Sequence, residues 1–142
     1  MKRLLFNFVI TSFVIFGLTA CKSRTQADQV LRTMCIAGIQ HVLPDNVSYD
    51  KANEVLFSDI DNVKRGREVM IDAQILEFGF TENEDFVCRF IENYAFFGLS
   101  YIPDITYIEG YGVELGYDEN DTFIGRQTDY VRLLTATKSA KK

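Results

Sequence analysis

No feature of this chain limits its fold as much as two adjacent stretches in which apolar and polar residues alternate. In residues 69–80, Val69, Ile71, Ala73 and Ile75 alternate with Met70, Asp72 and Gln74. In residues 86–97, Phe86, Cys88, Phe90, Tyr94 and Phe96 share one parity, with Arg89 and Asn93 on the other. A period of two places successive side chains on opposite faces of extended backbone, so each stretch reads as a half-buried β-strand. Thr81-Glu82-Asn83-Glu84-Asp85 is a polar connection of hairpin length, which predicts antiparallel pairing. Upstream, over residues 25–42, the period changes. Leu31, Cys35, Gly38 or Ile39 and Val42 fall at helical spacing beside Val30 and Met34, while Gln26, Asp28, Arg32, Thr33 and Gln40 take the outer side. Ser23 or Thr25 can cap this helix, Asp28 favours its positive end, and Pro44 stops it at Leu43.

Ser48-Tyr49-Asp50-Lys51 reads as a second capped start, leading into Ala52, Val55 and Leu56 as a short helix. Further on, Ile105, Tyr107, Tyr111, Val113, Leu115 and Tyr117 share one parity, which predicts a third strand over 105–117, bent near Gly110 and Gly112. Asp118-Glu119-Asn120-Asp121 is a turn. Residues 122–137 either return as a fourth strand through Phe123, Tyr130, Leu133 and Leu134 or end as a short helix. The fold class expected is α+β: an N-terminal amphipathic helix packed on a three- to four-stranded antiparallel sheet, after a cleaved signal peptide.

That signal is carried by Met1-Lys2-Arg3 and by residues 4–20, which hold no charge. A permanent transmembrane helix is the competing reading, but 17 residues is the lower edge of spanning length, and Asn7, Thr11 and Ser12 dilute the stretch. At its end, Leu18-Thr19-Ala20-Cys21 resembles the lipobox of bacterial lipoproteins. The resemblance implies a diacylglycerol in thioether linkage to the Cys21 sulfur, cleavage before Cys21, and a further acyl chain such as palmitate on the new amine. Each buried methylene adds about 0.8 kcal/mol, so two or three chains anchor a protein durably without spanning the bilayer. In Gram-negative lipoproteins an aspartate after the cysteine retains the protein at the inner membrane. Lys22 stands there, which by that resemblance favours the outer membrane. The organisation expected is a signal peptide over 1–20, a lipidated tether over 21–26, one α+β domain over 27–137 and a basic tail over 138–142. Removing 20 of 142 residues leaves 122, enough for one core.

With Cys21 lipidated, Cys35 and Cys88 remain as an even pair in an oxidising compartment, where a disulfide is the expected outcome. Two buried free thiols and a redox-active pair are the alternatives, the second without C-x-x-C spacing. A bond between them would bolt the helix across the inner face of the sheet. Ile71-Asp72-Ala73-Gln74, Phe78-Gly79 and Phe86-Val87-Cys88-Arg89-Phe90 resemble small bacterial secreted or lipid-anchored α+β domains of unknown function. In those, a helix cysteine joins a strand cysteine after a strand reading roughly V-x-A-x-N-x-F-G. This resemblance bears on fold and implies no activity.

After residue 20 the chain carries 13 Lys and Arg against 20 Asp and Glu, a balance of −7 that argues against nucleic acid as a partner. One histidine, three cysteines and no tryptophan leave few soft metal ligands. His41, at the helix end, reads as a capping or surface residue. Asp59, Asp61 and Asn62 are candidate cation ligands, as are Asp118, Asn120, Thr122 and Asp129, at positions 1, 3, 5 and 12 of a calcium-loop count. Phe123 occupies the place that needs glycine, and Asp129 is shorter than the usual glutamate. A solvated turn is the better reading, and no metal or cofactor is expected. Glu77, Glu92 and Glu109 interrupt apolar faces and are candidates for a hydrolytic carboxylate pair. No Gly-rich phosphate loop, G-x-S-x-G or H-E-x-x-H accompanies them, so no catalytic residue is assigned.

Eight of the 12 phenylalanines and all seven tyrosines follow residue 20. Most suit a core; Tyr107, Tyr111 and Tyr117, where left outside it, would form an adhesive surface. The function expected is that of a non-catalytic, lipid-anchored, periplasm-facing envelope protein that binds another envelope protein or serves structurally. An immunity or phage-exclusion lipoprotein that blocks a toxin or receptor is the alternative, and a cell-envelope hydrolase the least supported reading.

Overall fold

The computed structural model describes residues 23–95 and 100–140. The signal segment 1–20, Cys21, Phe96, Phe97 and residues 141–142 lie outside the described residues. The elements, in order, are α1 (Arg24–Val42), β1 (Val47–Asp59), β2 (Gly66–Glu77), β3 (Phe80–Ala95), β4 (Ser100–Gly110), β5 (Val113–Tyr117), β6 (Phe123–Ile124) and α2 (Gln127–Ala140). The strands form one antiparallel sheet in sequence order, a meander in which each strand pairs with its chain neighbours. The α+β class holds, with six strands in place of the three or four expected. The N-terminal helix also packs against a second helix as well as the sheet.

The caps of α1 are local. The Ser23 hydroxyl accepts from the Gln26 N–H at 3.3 Å, and the Gln26 side chain accepts from the Ser23 N–H at 3.2 Å, a reciprocal capping box. Helix therefore begins at Arg24, inside the tether expected over 21–26. It ends at Leu43, whose N–H donates to the Ile39 carbonyl just before Pro44. Ala27, Leu31, Met34, Cys35, Gly38 and Ile39 are buried against Val69, Ile71, Ala73 and Ile75 of β2, Phe86, Cys88 and Phe90 of β3, and Ile105 and Ile108 of β4. Leu133 of α2 joins the same core. At Gly38 a Cβ would press on the side chains of Ile108 and Leu133, so its absence lets helix, sheet and helix close together. The expected disulfide lies in this core: Cys35 and Cys88 are joined at 2.03 Å, with Cα atoms 5.8 Å apart, and both are fully buried.

Four expectations are corrected. The short helix expected from Ser48 is strand β1, whose Tyr49, Val55 and Phe57 pair with Ile75, Ile71 and Val69. Register shifts between Tyr49 and Lys51 and between Ala52 and Glu54 interrupt its alternation and hide it. The polar segment 81–85 is part of β3, paired with β2 throughout. Residues 105–117 form two strands folded back at Tyr111-Gly112, both at positive φ. Of the two readings open for residues 122–137, the helix holds for most of the segment, a two-residue strand being followed by α2 with Leu133 and Thr137 buried, but the helix continues through Lys138 to Ala140, where a basic tail was expected.

The β2–β3 turn is Phe78-Gly79 alone, because Glu77 pairs with Phe80. Phe78 has φ 48° and Gly79 φ 84°, the left-handed pair of a type I′ hairpin, where Asn-Gly is the favoured dipeptide. A phenylalanine held left-handed costs about 1 kcal/mol. Phe78→Asn is accordingly expected to raise stability by about 1 kcal/mol and the thermal midpoint by about 4 °C. A melting curve with an unchanged or lower midpoint would count against this turn.

Candidate functional site

The carboxylates singled out in the sequence each hold a tyrosine. Glu92, near the end of β3 on the helix-covered face, is buried. The Tyr101 hydroxyl donates to its Oε1 at 2.5 Å, and Arg24 Nη1 donates to both its oxygens at 2.8 and 3.0 Å. Arg24 also grips Asp28, Asp28 reaches Arg67, and Arg67 binds Asp59, so the start of α1 is tied to the sheet by a chain of charges. Glu77, at the end of β2, accepts from the Tyr111 hydroxyl at 2.7 Å and from Asn46 Nδ2 at 3.3 Å. Glu109 accepts from the Tyr107 hydroxyl at 3.1 Å.

Burial and these bonds together favour the protonated phenols above their ordinary range. Burial and then Glu92 push Tyr101 up, burial and then Glu109 push Tyr107 up to about 12, and the bond to Glu77 is the main cause that takes Tyr111 up to about 12. The three carboxylates do not converge. Glu77 stands opposite Phe80, twelve positions along β3 from Glu92, or about 40 Å of strand. Glu109 stands opposite Val87 and so points to the face away from Glu92. A hydrolytic carboxylate pair would need roughly 5–10 Å, and the arrangement gives none among these three.

The tyrosines of the expected adhesive surface lie in different settings. Tyr107 is 5% exposed, with the Arg89 guanidinium 5.1 Å above its ring. Tyr111 is half-buried in the β4–β5 turn, and its N–H donates to Glu84 at 3.0 Å. Tyr117 is 46% exposed and forms an edge-on cluster with Phe123 and Tyr130, at 5.3 and 5.9 Å between ring centres.

The calcium-loop residues form a closed turn. Asp118 Oδ1 accepts from the Asn120 and Thr122 N–H groups, each at 2.8 Å, and these bonds hold its carboxyl below the usual range. Asp129 pairs instead with Arg126 in the first turn of α2, and Asp59 with Arg67. Among the described residues no group of three or more His, Cys, Asp or Glu side chains could hold a metal ion. His41 is exposed at the rim of a cavity of about 440 Å³ that also takes in Glu114, Arg126, Asp129 and Arg132. A larger cleft of about 1070 Å³ opens on the other face, between the β1–β2 and β5–β6 loops. On its floor Arg89 binds Glu68 and Glu119, both at 2.9 Å. Burial opposes the charge on Arg89, and those bonds more than restore it.

The hairpin tip was passed over in the sequence. Phe78 and Phe80 are 78% and 74% exposed, the two most exposed large apolar side chains among the described residues. Phe78-Gly79 was the available signal, a two-residue turn with glycine second.

Comparison with protein-family models, with curated proteins and with solved structures finds no match for this chain. Among the described residues no helix is long and apolar enough to cross a membrane. Fold and surface together define an acidic α+β domain, its helices on one face of a meander and an aromatic tip at one end of the sheet.

Proposed function

We propose that this chain is a lipid-anchored bacterial envelope protein that acts by binding another envelope protein and carries out no catalysis. The observation that supports this reading is the Cys35–Cys88 disulfide at the centre of the core. Such bonds persist where thiols are not kept reduced, which is the compartment to which the basic start, the uncharged stretch 4–20 and Leu18-Thr19-Ala20-Cys21 point. On this reading Cys21 carries diacylglycerol, the protein faces the periplasm, and Lys22 favours the outer membrane. Because α1 starts at Arg24, the tether is a few residues long and the domain stands close to its bilayer. Glu77, Glu92 and Glu109, each engaged with a tyrosine and apart from one another, favour binding over hydrolysis.

Cys21→Ser tests the anchor. The parent chain is expected to incorporate an alkyne-palmitate label and to mature in a globomycin-sensitive step, while the variant accumulates as an unlabelled, full-length precursor. A parent that matures in the presence of globomycin and carries no fatty acid would overturn the reading.

A further inference from the structure

The β2–β3 hairpin has two properties that packing does not require. Its tip places Phe78 and Phe80 in water around Gly79, with Phe78 in a left-handed conformation that asparagine would occupy more easily. Two large rings are thus held out at a turn that one of them, Phe78, weakens. The second property is charge. Between Arg67 and Arg89 the chain has six carboxylates, Glu68, Asp72, Glu77, Glu82, Glu84 and Asp85, and no lysine or arginine. Of these, Glu68 pairs with Arg89; among the described residues the other five have no ion-pair partner.

Position along the sheet adds a third observation. Arg24 at the start of α1 holds Glu92, and Glu92 is about 40 Å of strand away from Phe80. Arg24 therefore marks the end of the sheet remote from the tip. On the lipid-anchored reading, the carboxylates of the hairpin would be repelled by anionic headgroups, which favours a protein over the bilayer as the tip's partner.

We propose that the Phe78-Gly79-Phe80 tip is the docking element of this protein, and that its partner is a protein with an apolar pocket rimmed by lysine and arginine. Aromatic anchors that enter a dry pocket dominate interface energetics, and a surrounding ring of opposite charge sets orientation and encounter rate. Among the described residues, Glu82 and Asp85, both exposed, are the carboxylates nearest the tip that enter no hydrogen bond or ion pair in the fold, Glu77 and Glu84 being taken up by Tyr111. The inference rests on the protein-binding reading above and names the surface that does the binding.

The test places the photoreactive residue p-benzoylphenylalanine at position 78 of the full-length protein in the cells that make it, and in parallel at positions 117 and 131, both exposed. The expected result is a cross-link from position 78 to one protein, mapped by mass spectrometry to apolar residues beside lysine or arginine. Its yield should fall about tenfold or more when Glu82→Lys and Asp85→Lys are introduced together. Phe78→Asn, which should melt higher than the parent, should bind the mapped partner about tenfold or more weakly, so that lost binding cannot be lost folding. Cross-links from 117 or 131 with none from 78 would overturn the inference and leave protein binding intact. Cross-linking of position 78 to lipid, to a second copy of this chain or to an acidic site would also overturn it. Silence from all three positions would overturn both.

Discussion

Replacing Cys35 and Cys88 together by alanine is expected to lower the unfolding free energy by about 4 kcal/mol. The two are 53 residues apart, and the loop they close restricts the unfolded chain far more than the folded one. Domains of this size hold only about 5–15 kcal/mol in total, so the change removes a large share of it. Alanine serves better than serine because both positions are fully buried and a hydroxyl there would lack a designed partner. Urea unfolding of the oxidised parent, the reduced parent and the double variant provides the measurement. The last two should coincide at a much lower midpoint, and a variant that unfolds with the oxidised parent would show that the cross-link does not carry this stability.

Gly116→Ala should cost about 3 kcal/mol or more. Gly116 stands opposite Tyr107 at φ 118°, and a Cβ there would overlap the Thr106 carbonyl oxygen and crowd the Tyr107 Cα. Those atoms are backbone and have no flexible end to move aside. Thr106 itself sits in the register shift where β4 passes Arg89 and Phe90, so the approach is fixed from both sides. Gly112→Ala is the control. Its φ is 70° but the space around it is open, so it should show the conformational cost alone, about 1 kcal/mol. The near-ultraviolet signal of Tyr107 under Arg89 should change in the first variant and persist in the second. Equal losses of stability would mean that β4 and β5 are not held this closely.

How much of this was legible depended on how local the governing physics is. α1 was readable along almost its whole length, because its period, its Ser23 cap and the Pro44 stop all lie within a few residues of where they act. The inward parity of Val69, Ile71, Ala73 and Ile75 and of Phe86, Cys88 and Phe90 was equally plain, and with it the helix-to-strand disulfide. Residues 81–85 misled because strand there lies where burial is slight: Thr81, Glu82, Asn83 and Asp85 are exposed, and polar composition read as a loop. At Tyr111-Gly112 a two-residue turn preserves parity, so one bent strand and two paired strands present the same alternation. Of the three glutamates expected to interrupt apolar faces, Glu92 alone is buried on the helix-covered face; Glu77 lies at the end of β2 and Glu109 is exposed on the opposite face. The partners of Glu92 and Glu77, Tyr101 and Tyr111, come from folding between separate strands and no spacing announces them, whereas Tyr107 lies two residues before Glu109 on the same strand face.

The sheet's neighbour-to-neighbour order has a consequence for a chain delivered from its N-terminus. Each new strand can zip onto the one that has just emerged, so pairing needs no long search. The first helix has the opposite experience. Its apolar stripe comes out before every surface that will cover it, and Cys35 must wait until Cys88 has followed. For that interval the earliest part of the molecule is the stickiest, and oxidation closes it only once the central strand has arrived.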